Sequence, residues 1–347
     1  MTLTTRRLIF YTMVVLFLLA TPPTILYSIG YSFDWQKKSL VQTGGLFLKS
    51  SPPGAQVFIN GKEKKITPKL ISRLIPKTYA IVLSKDGYQT WEKNLEVKPR
   101  LVEEARSIIL FPKNIKSEIA SSSISSIKGF LQTPEEKTSQ AQAAKVASST
   151  AGWLYSERNL YYINNTNFIL YRSDLNGYIK EQLSQQFLPK DDYTVFTGSN
   201  NQIMVLGQQT GNLFWLNKNT QAFENLASNI KSAIFSGDGK KIAYWNNNEI
   251  WINYIEDILV QPYKKAGEKE LITRHSQPIS QVIFYPNNEY LTYVIGDQIK
   301  IIELDGRGSR NIINFISTPN PQIYFDEPNS YFYYLTGNEL FRVKLNL

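Results

Sequence analysis

The 347-residue chain contains no cysteine, which excludes disulfides and thiolate metal sites. Histidine is almost as scarce: His275 is the single one. A Ser-His-Asp triad or a histidine-rich metal site would have to be built around that one residue. The chain also lacks a Gly-x-Ser-x-Gly nucleophile elbow, a P-loop, a Gly-x-Gly-x-x-Gly turn and a His-Glu-x-x-His helix. No catalytic residue, cofactor or metal is expected.

Aromatic residues are plentiful instead, with 21 tyrosines and 18 phenylalanines, and they favour strands over helices. The net charge of +9 is unevenly spread. Residues 36–116 hold 16 Lys/Arg against 6 Asp/Glu, whereas residues 117–347 hold 20 against 22. A basic module beside a near-neutral one points to a local contact and away from nucleic acid. Solvated lysines that keep a small β-module soluble are the plainer reading of the same charge.

The N-terminus carries a membrane-length run. From Leu8 to Tyr27, "LIFYTMVVLFLLATPPTILY" has no charged residue, and about 20 residues at 1.5 Å each match a hydrocarbon core of roughly 30 Å. Arg6 and Arg7 precede it, so the short N-terminus is expected in the cytoplasm and the rest outside. Tyr27, Tyr31 and Trp35 fall where an aromatic belt would lie. A cleaved signal peptide competes with an uncleaved single-pass anchor, although no small-x-small site follows the apolar core. Pro22-Pro23 interrupts the run and implies a kink.

Behind it, "SPPGAQVFINGKEKKITP" opens a compact β-module. Val57 and Ile59, then Tyr79, Ile81 and Leu83, alternate at period two. Asn60-Gly61 and Asp86-Gly87 are turns, and Pro68 and Pro76 punctuate the connections. The pattern predicts a small antiparallel sandwich. It resembles the PEGA domain through Pro53-Gly54-Ala55, Val57, Ile59-Asn60-Gly61, Thr67-Pro68, Leu74, Pro76, Tyr79, Lys85 and Gly87-Tyr88. Pro52-Pro53 stands where Pro-Glu is usual. The resemblance covers residues 45–112 and implies an envelope spacer or binding module without catalytic machinery.

Residues 117–148 are rich in Ser, Ala, Gln and Thr. They read either as a flexible tether or as a segment that lends a strand to the following domain, with a short helix near Ala141–Ala147. From residue 149 the chain repeats. Strand-ending Phe196, Phe235, Phe284 and Phe325 are spaced 39, 49 and 41 apart, and Trp153 lies 43 residues before the first. Four short strands per unit at this period predict a β-propeller of about five blades. The last blade lacks a clear fourth strand, and Ile124–Leu131 is the expected donor that closes the ring. "FSGDGKKIAYWNNNEIWI" is similar to the blades of TolB-like propellers, with Gly237 where that family has proline.

The expected fold is thus all-β: anchor (1–35), PEGA-like sandwich (36–116), linker (117–148) and propeller (149–347). His275 reads as a solvated surface residue. "SDLNG" at Ser173–Gly177 only faintly matches a calcium loop. Tyr244, Trp245, Trp251, Tyr254 and Tyr293 read as core rather than as a sugar platform. Two surfaces read as binding sites. Lys62, Lys64, Lys65 and Lys69 around one turn suit anionic lipid head groups or wall polymers. Tyr263, Lys264 and Lys265, in the loop Glu256–Glu270, suit a polar or negatively charged partner surface. A non-enzymatic, membrane-anchored envelope protein that binds protein or polysaccharide is the favoured reading. An extracytoplasmic glycan hydrolase with acids on the propeller's central face is the alternative.

Overall fold

The computed structural model describes residues 2–345 and divides into two compact units: residues 1–114 with 307–309, and residues 115–306 with 310–347.

The first unit begins with α1 (Leu3–Ser28), capped by the Thr2 hydroxyl accepting from the Thr5 amide. Its 26 residues extend about 39 Å, and no side chain on it is buried. Among the described residues it is the one helix long and apolar enough to cross a membrane. Pro22 and Pro23 lie inside it, each withholding a backbone N–H. The Thr21 and Thr24 hydroxyls donate to the Phe17 and Ala20 carbonyls on either side of the gap. With the Thr12 hydroxyl donating to the Leu8 carbonyl, the threonine hydroxyls within the apolar run are thus satisfied internally, as a hydrocarbon environment requires.

A two-stranded hairpin follows, β1 (Tyr31–Asp34) with β2 (Ser39–Gln42). The rest of the unit has seven strands: β3 (Gly44–Ser51), β4 (Gln56–Ile59), β5 (Lys62–Ile66), β6 (Lys69–Leu74), β7 (Lys77–Ser84), β8 (Trp91–Val97) and β9 (Val102–Ile109). They form a three-stranded sheet, β6-β3-β9, and a four-stranded sheet, β5-β4-β7-β8. Leu46 and Leu48 of the first meet Val57, Ile81, Leu83 and Leu95 of the second in one buried cluster. Asn60 and Gly61 both take positive φ at the β4–β5 turn, and the Asn60 side chain accepts from the Ala80 amide. One expectation fails: β3 runs parallel to β9, so the sandwich is mixed rather than purely antiparallel.

The second unit consists of five four-stranded antiparallel sheets. It opens with β10 (Glu118–Ser122), α2 (Ile127–Leu131) and α3 (Pro134–Val146). Sheet 1 holds β11 (Thr150–Ser156), β12 (Asn159–Asn164), β13 (Leu170–Ser173) and β14 (Lys180–Gln182). Sheet 2 holds β15 (Tyr193–Gly198), β16 (Gln202–Gly207), β17 (Leu213–Asn217) and β18 (Ala222–Ala227). In sheet 3 are β19 (Ser232–Phe235), β20 (Lys241–Trp245), β21 (Glu249–Tyr254) and β22 (Lys269–Arg274). Sheet 4 contains β23 (Ile279–Phe284), β24 (Tyr290–Ile295), β25 (Gln298–Glu303) and β26 (Ile312–Ser317). Three strands complete the chain: β27 (Gln322–Asp326), β28 (Tyr331–Thr336) and β29 (Glu339–Lys344).

Each sheet needs a neighbour to cover its faces. First strands of successive sheets touch in chain order, β11 with β15, β15 with β19, β19 with β23 and β23 with β27. Apolar clusters lie between adjacent sheets; Trp245, Ile250 and Ile252 of sheet 3, for example, pack on Val282, Leu291 and Tyr293 of sheet 4. Second strands β16, β20 and β24 are buried along their whole length, because both their faces meet another sheet. Polar side chains tie the stack together as well. The Gln281 amide group donates to the Ile323 carbonyl and accepts from the Ile323 amide, at 2.7 and 2.9 Å.

Of the two readings open for residues 117–148, the structure takes the ordered one. β10 pairs antiparallel with β29 and becomes the missing fourth strand of sheet 5, in the order β10-β29-β28-β27. The donor strand is therefore Glu118–Ser122, and part of the expected segment, Ile127–Leu131, is helix α2 packed on sheet 5. α3 is longer than expected and begins with a capping box between Thr133 and Glu136.

Candidate binding surfaces

The long loop after β21 is built on a locked base. Ile258 and Lys264 form an antiparallel bridge, their amides and carbonyls exchanging bonds of 2.8 and 3.3 Å. Below the bridge, the Lys264 ammonium lies 2.6 Å from a Glu268 carboxylate oxygen and 3.0 Å from Glu270. Glu270 also takes Arg310 and the Tyr254 hydroxyl. Burial works against the Lys264 charge, but the bonds to Glu268 and Glu270 outweigh it and hold the ammonium above its ordinary range. Lys264 thus secures the loop base and is not the outward cation expected of it. Lys265 is exposed.

At its tip the loop presents apolar side chains. Leu259, Val260 and Tyr263 are 82%, 60% and 68% exposed at its tip. Because the base of the loop is fixed by the bridge and the ion pairs, less backbone would have to be ordered if this tip met another surface. Periodicity cannot reveal this, because the tip has none; the signal available in the sequence is "LVQPY" inside an otherwise charged loop.

The lysine cluster of the first unit sits on two sheet edges. Lys62 and Lys65 are exposed on β5 and Lys69 is half-buried on β6, each strand lying at the end of its sheet. The side chain of Lys64 lies outside the described residues. Charged residues on free edges oppose edge-to-edge pairing, so the cluster protects the module whatever else it contacts.

His275 is not a solvated surface residue. Its Nε2 lies 3.2 Å from the Thr273 hydroxyl and 3.0 Å from the Tyr293 hydroxyl. Burial, helped by the Lys300 charge, keeps the imidazole below its usual range and hence neutral at neutral pH. Tyr244, Trp245, Tyr254 and Tyr293 are core, as expected, while Trp251 is half-buried with its indole N–H on Glu249. Asp174 of "SDLNG" spends one oxygen closing its own turn on the amides of Tyr178 and Ile179. Among the described residues no group of three or more His, Asp or Glu side chains could hold a metal ion. Asp191 is likewise structural: its oxygens accept from the amides of Asp192, Gln209 and Thr210 and from the Thr210 hydroxyl.

A cavity of about 450 Å³ opens in the second unit between the α2–α3 segment and strands β11 and β27. Tyr155, Glu157 and Tyr324 line it together with Gln132, Glu136 and Gln140. Glu136 is partly committed, accepting the Thr133 amide in the cap of α3. Among the described residues its wall carries the Glu136 and Glu157 carboxylates and no lysine or arginine.

No curated protein matches this sequence. Among solved structures, it is similar to the extracellular domain of a hybrid two-component system protein from B. thetaiotaomicron, at 11% identity and a TM-score of 0.42 over 57% of this chain and 28% of that one. A gluconolactonase from Xanthomonas campestris is similar at 13% identity and a TM-score of 0.37, over 54% of this chain and 68% of that one. Hsv2 from Kluyveromyces lactis is similar at 9% and 0.35, over 85% and 70%. All three likenesses are slight and carry no argument. Within the first unit, residues 43–105 match the PEGA domain, and that stretch, from the end of the hairpin into β9, is what the comparisons identify.

Proposed function

We propose that the chain is a single-pass membrane protein whose PEGA domain and five-sheet repeat lie outside the cytoplasm. The repeat is a β-propeller of the TolB-like kind, and it holds a protein partner without catalysing a reaction. The PEGA domain is an extracellular type of module, α1 is long and apolar enough to cross a membrane, and Arg6 and Arg7 ahead of it favour a cytoplasmic N-terminus. In-order packing of the five first strands, with β10 completing the last sheet, supports the propeller. The observation that carries the binding role is the exposed Leu259–Val260–Tyr263 tip on its ion-paired base.

Because the chain has no native cysteine, single-cysteine variants report cleanly. In intact cells stripped of any outer wall, a membrane-impermeant maleimide should label the Tyr263→Cys variant, and label Thr4→Cys only after lysis. Labelling of Thr4→Cys alone in intact cells would reverse the topology. Release of the Tyr263→Cys protein into the medium would make α1 a cleaved signal.

For the tip itself, a benzophenone maleimide attached to Val260→Cys should give one discrete photo-crosslinked adduct in membranes. Adding Leu259→Asp and Tyr263→Ser should weaken the capture about 30-fold, the loss of two anchors at roughly 1 kcal/mol each, with the thermal midpoint unchanged. An adduct of undiminished yield would move the contact elsewhere. Turnover of a glycan by the purified chain, lost on changing one carboxylate, would make it an enzyme.

A further inference from the structure

The hairpin β1–β2 is an amphipathic ribbon whose apolar face, among the described residues, leaves Phe33, Trp35 and Leu40 exposed. Phe33 and Leu40 are cross-strand partners, as are Tyr31 and Gln42 two residues along. Alternation places Tyr31, Phe33 and Leu40 on one face and Ser32, Ser39 and Val41 on the other. Trp35 extends the apolar face at the turn, with its ring centroid 4.8 Å from that of Phe33 in an edge-on contact. Trp35 is 82% exposed and Leu40 54%. The turn is held by the Asp34 carboxylate, which accepts from the amides of Gln36 and Lys37, and it carries the cations Lys37 and Lys38.

Position decides what covers this face. α1 ends at Ser28 and β1 starts at Tyr31, so the hairpin begins within about 11 Å of the helix end. Its four-residue strands extend it by only about 13 Å. The Gly30 carbonyl accepts both the amide and the hydroxyl of Thr43, which fixes the ribbon's two ends together where the helix stops. From β6, the Arg73 guanidinium lies 3.5 Å from the Tyr27 ring centroid, clamping the last turn of α1. Amphipathic aromatics and basic side chains at the end of a spanning helix match the chemistry of the lipid interface.

We infer that the β1–β2 hairpin is a lipid-interface foot, with Phe33, Trp35 and Leu40 seated at the headgroup–acyl boundary and Lys37, Lys38 and Arg73 among anionic head groups. This rests on the reading of α1 as a spanning anchor. The foot adds a second point of attachment beside the helix, so the PEGA domain is held at a set orientation to the membrane instead of swivelling on a single tether.

Spin labels on the cysteine-free full chain in vesicles of mixed zwitterionic and anionic phospholipid test it, read by oxygen against a water-soluble nickel chelate. Val15→Cys reports the anchor, Leu40→Cys the apolar face and Ser39→Cys the opposite face. The expected pattern is oxygen-rich at positions 15 and 40 and nickel-accessible at 39. Charge reversal by Lys37→Glu with Lys38→Glu should move the position-40 label toward water, and should do so less in purely zwitterionic vesicles. Nickel access at both 39 and 40, with 15 still oxygen-rich, overturns the foot and leaves the anchor standing. A label at 40 shielded from both reagents means protein covers the face, as a second copy would, and also overturns it. Nickel access at 15 removes the anchor and the foot together.

Discussion

Replacing Lys241 with alanine is expected to destabilise the five-sheet unit by about 3 kcal/mol, the lower end of the cost of breaking a buried ion pair from one side. Lys241 is 1% exposed. Its ammonium, at the start of β20 in sheet 3, donates to the Asn288 carbonyl and to the Glu289 carboxylate in the β23–β24 turn of sheet 4, both at 2.9 Å. Removing it leaves that carbonyl and a partly buried carboxylate without their cation, and opens a void between two sheets. Burial already holds the Glu289 carboxyl above its ordinary range, with Lys241 opposing the shift. Without the lysine the folded-state value rises further above the unfolded one, so the folded form takes up protons more readily. The variant's deficit should therefore be largest where Glu289 is ionised and shrink as the pH falls through the raised value. Urea unfolding of the full chain, followed by near-ultraviolet circular dichroism, reads both effects. A cost below about 1 kcal/mol at neutral pH would show that the pair does not secure sheets 3 and 4.

The second large effect is steric. Gly152, in β11, comes so close to the first strand of sheet 2 that a Cβ there would lie 2.1 Å from the Tyr193 carbonyl oxygen and 2.8 Å from its carbon. Backbone cannot give way as a flexible side chain does, so Gly152→Ala must push the two sheets apart, at about 3 kcal/mol. Gly129→Ala is the matched control. Gly129 lies in α2, where the nearest atom to an added Cβ is 3.9 Å away, so this change should be neutral or stabilise by up to ~1 kcal/mol. Equal unfolding midpoints for the two variants would contradict the close approach of β11 to β15.

Much of the architecture is visible in the sequence because it is local. The Asn60-Gly61 turn depends on two residues tolerating positive φ, and both adopt it. The repeat announces itself because sheets 1 to 4 are each a meander of neighbouring strands. The candidate surface is less visible. Lys264 and Lys265 are chemically equivalent in the sequence, yet one is drawn down onto Glu268 and Glu270 and the other is exposed. Glu270 also holds Arg310, forty positions further along, a pairing that no reading of the loop alone anticipates. His275 is similar, since Tyr293 reaches it from β24.

By itself the sequence determined the apolar helix, the turns of the PEGA domain and a repeat of about five β units, all set by dihedral preference and by hydrophobic runs over short spans. The tertiary structure alone decided that β9 returns parallel to β3, that Glu118–Ser122 completes the last sheet, and which lysines are free. Strand edges accept any partner with the right backbone spacing, so selection falls to packing between segments far apart in the chain. The wholly buried strands β16, β20 and β24 show the same limit from the other side: a strand covered on both faces loses its alternation, and only its neighbours in space explain why.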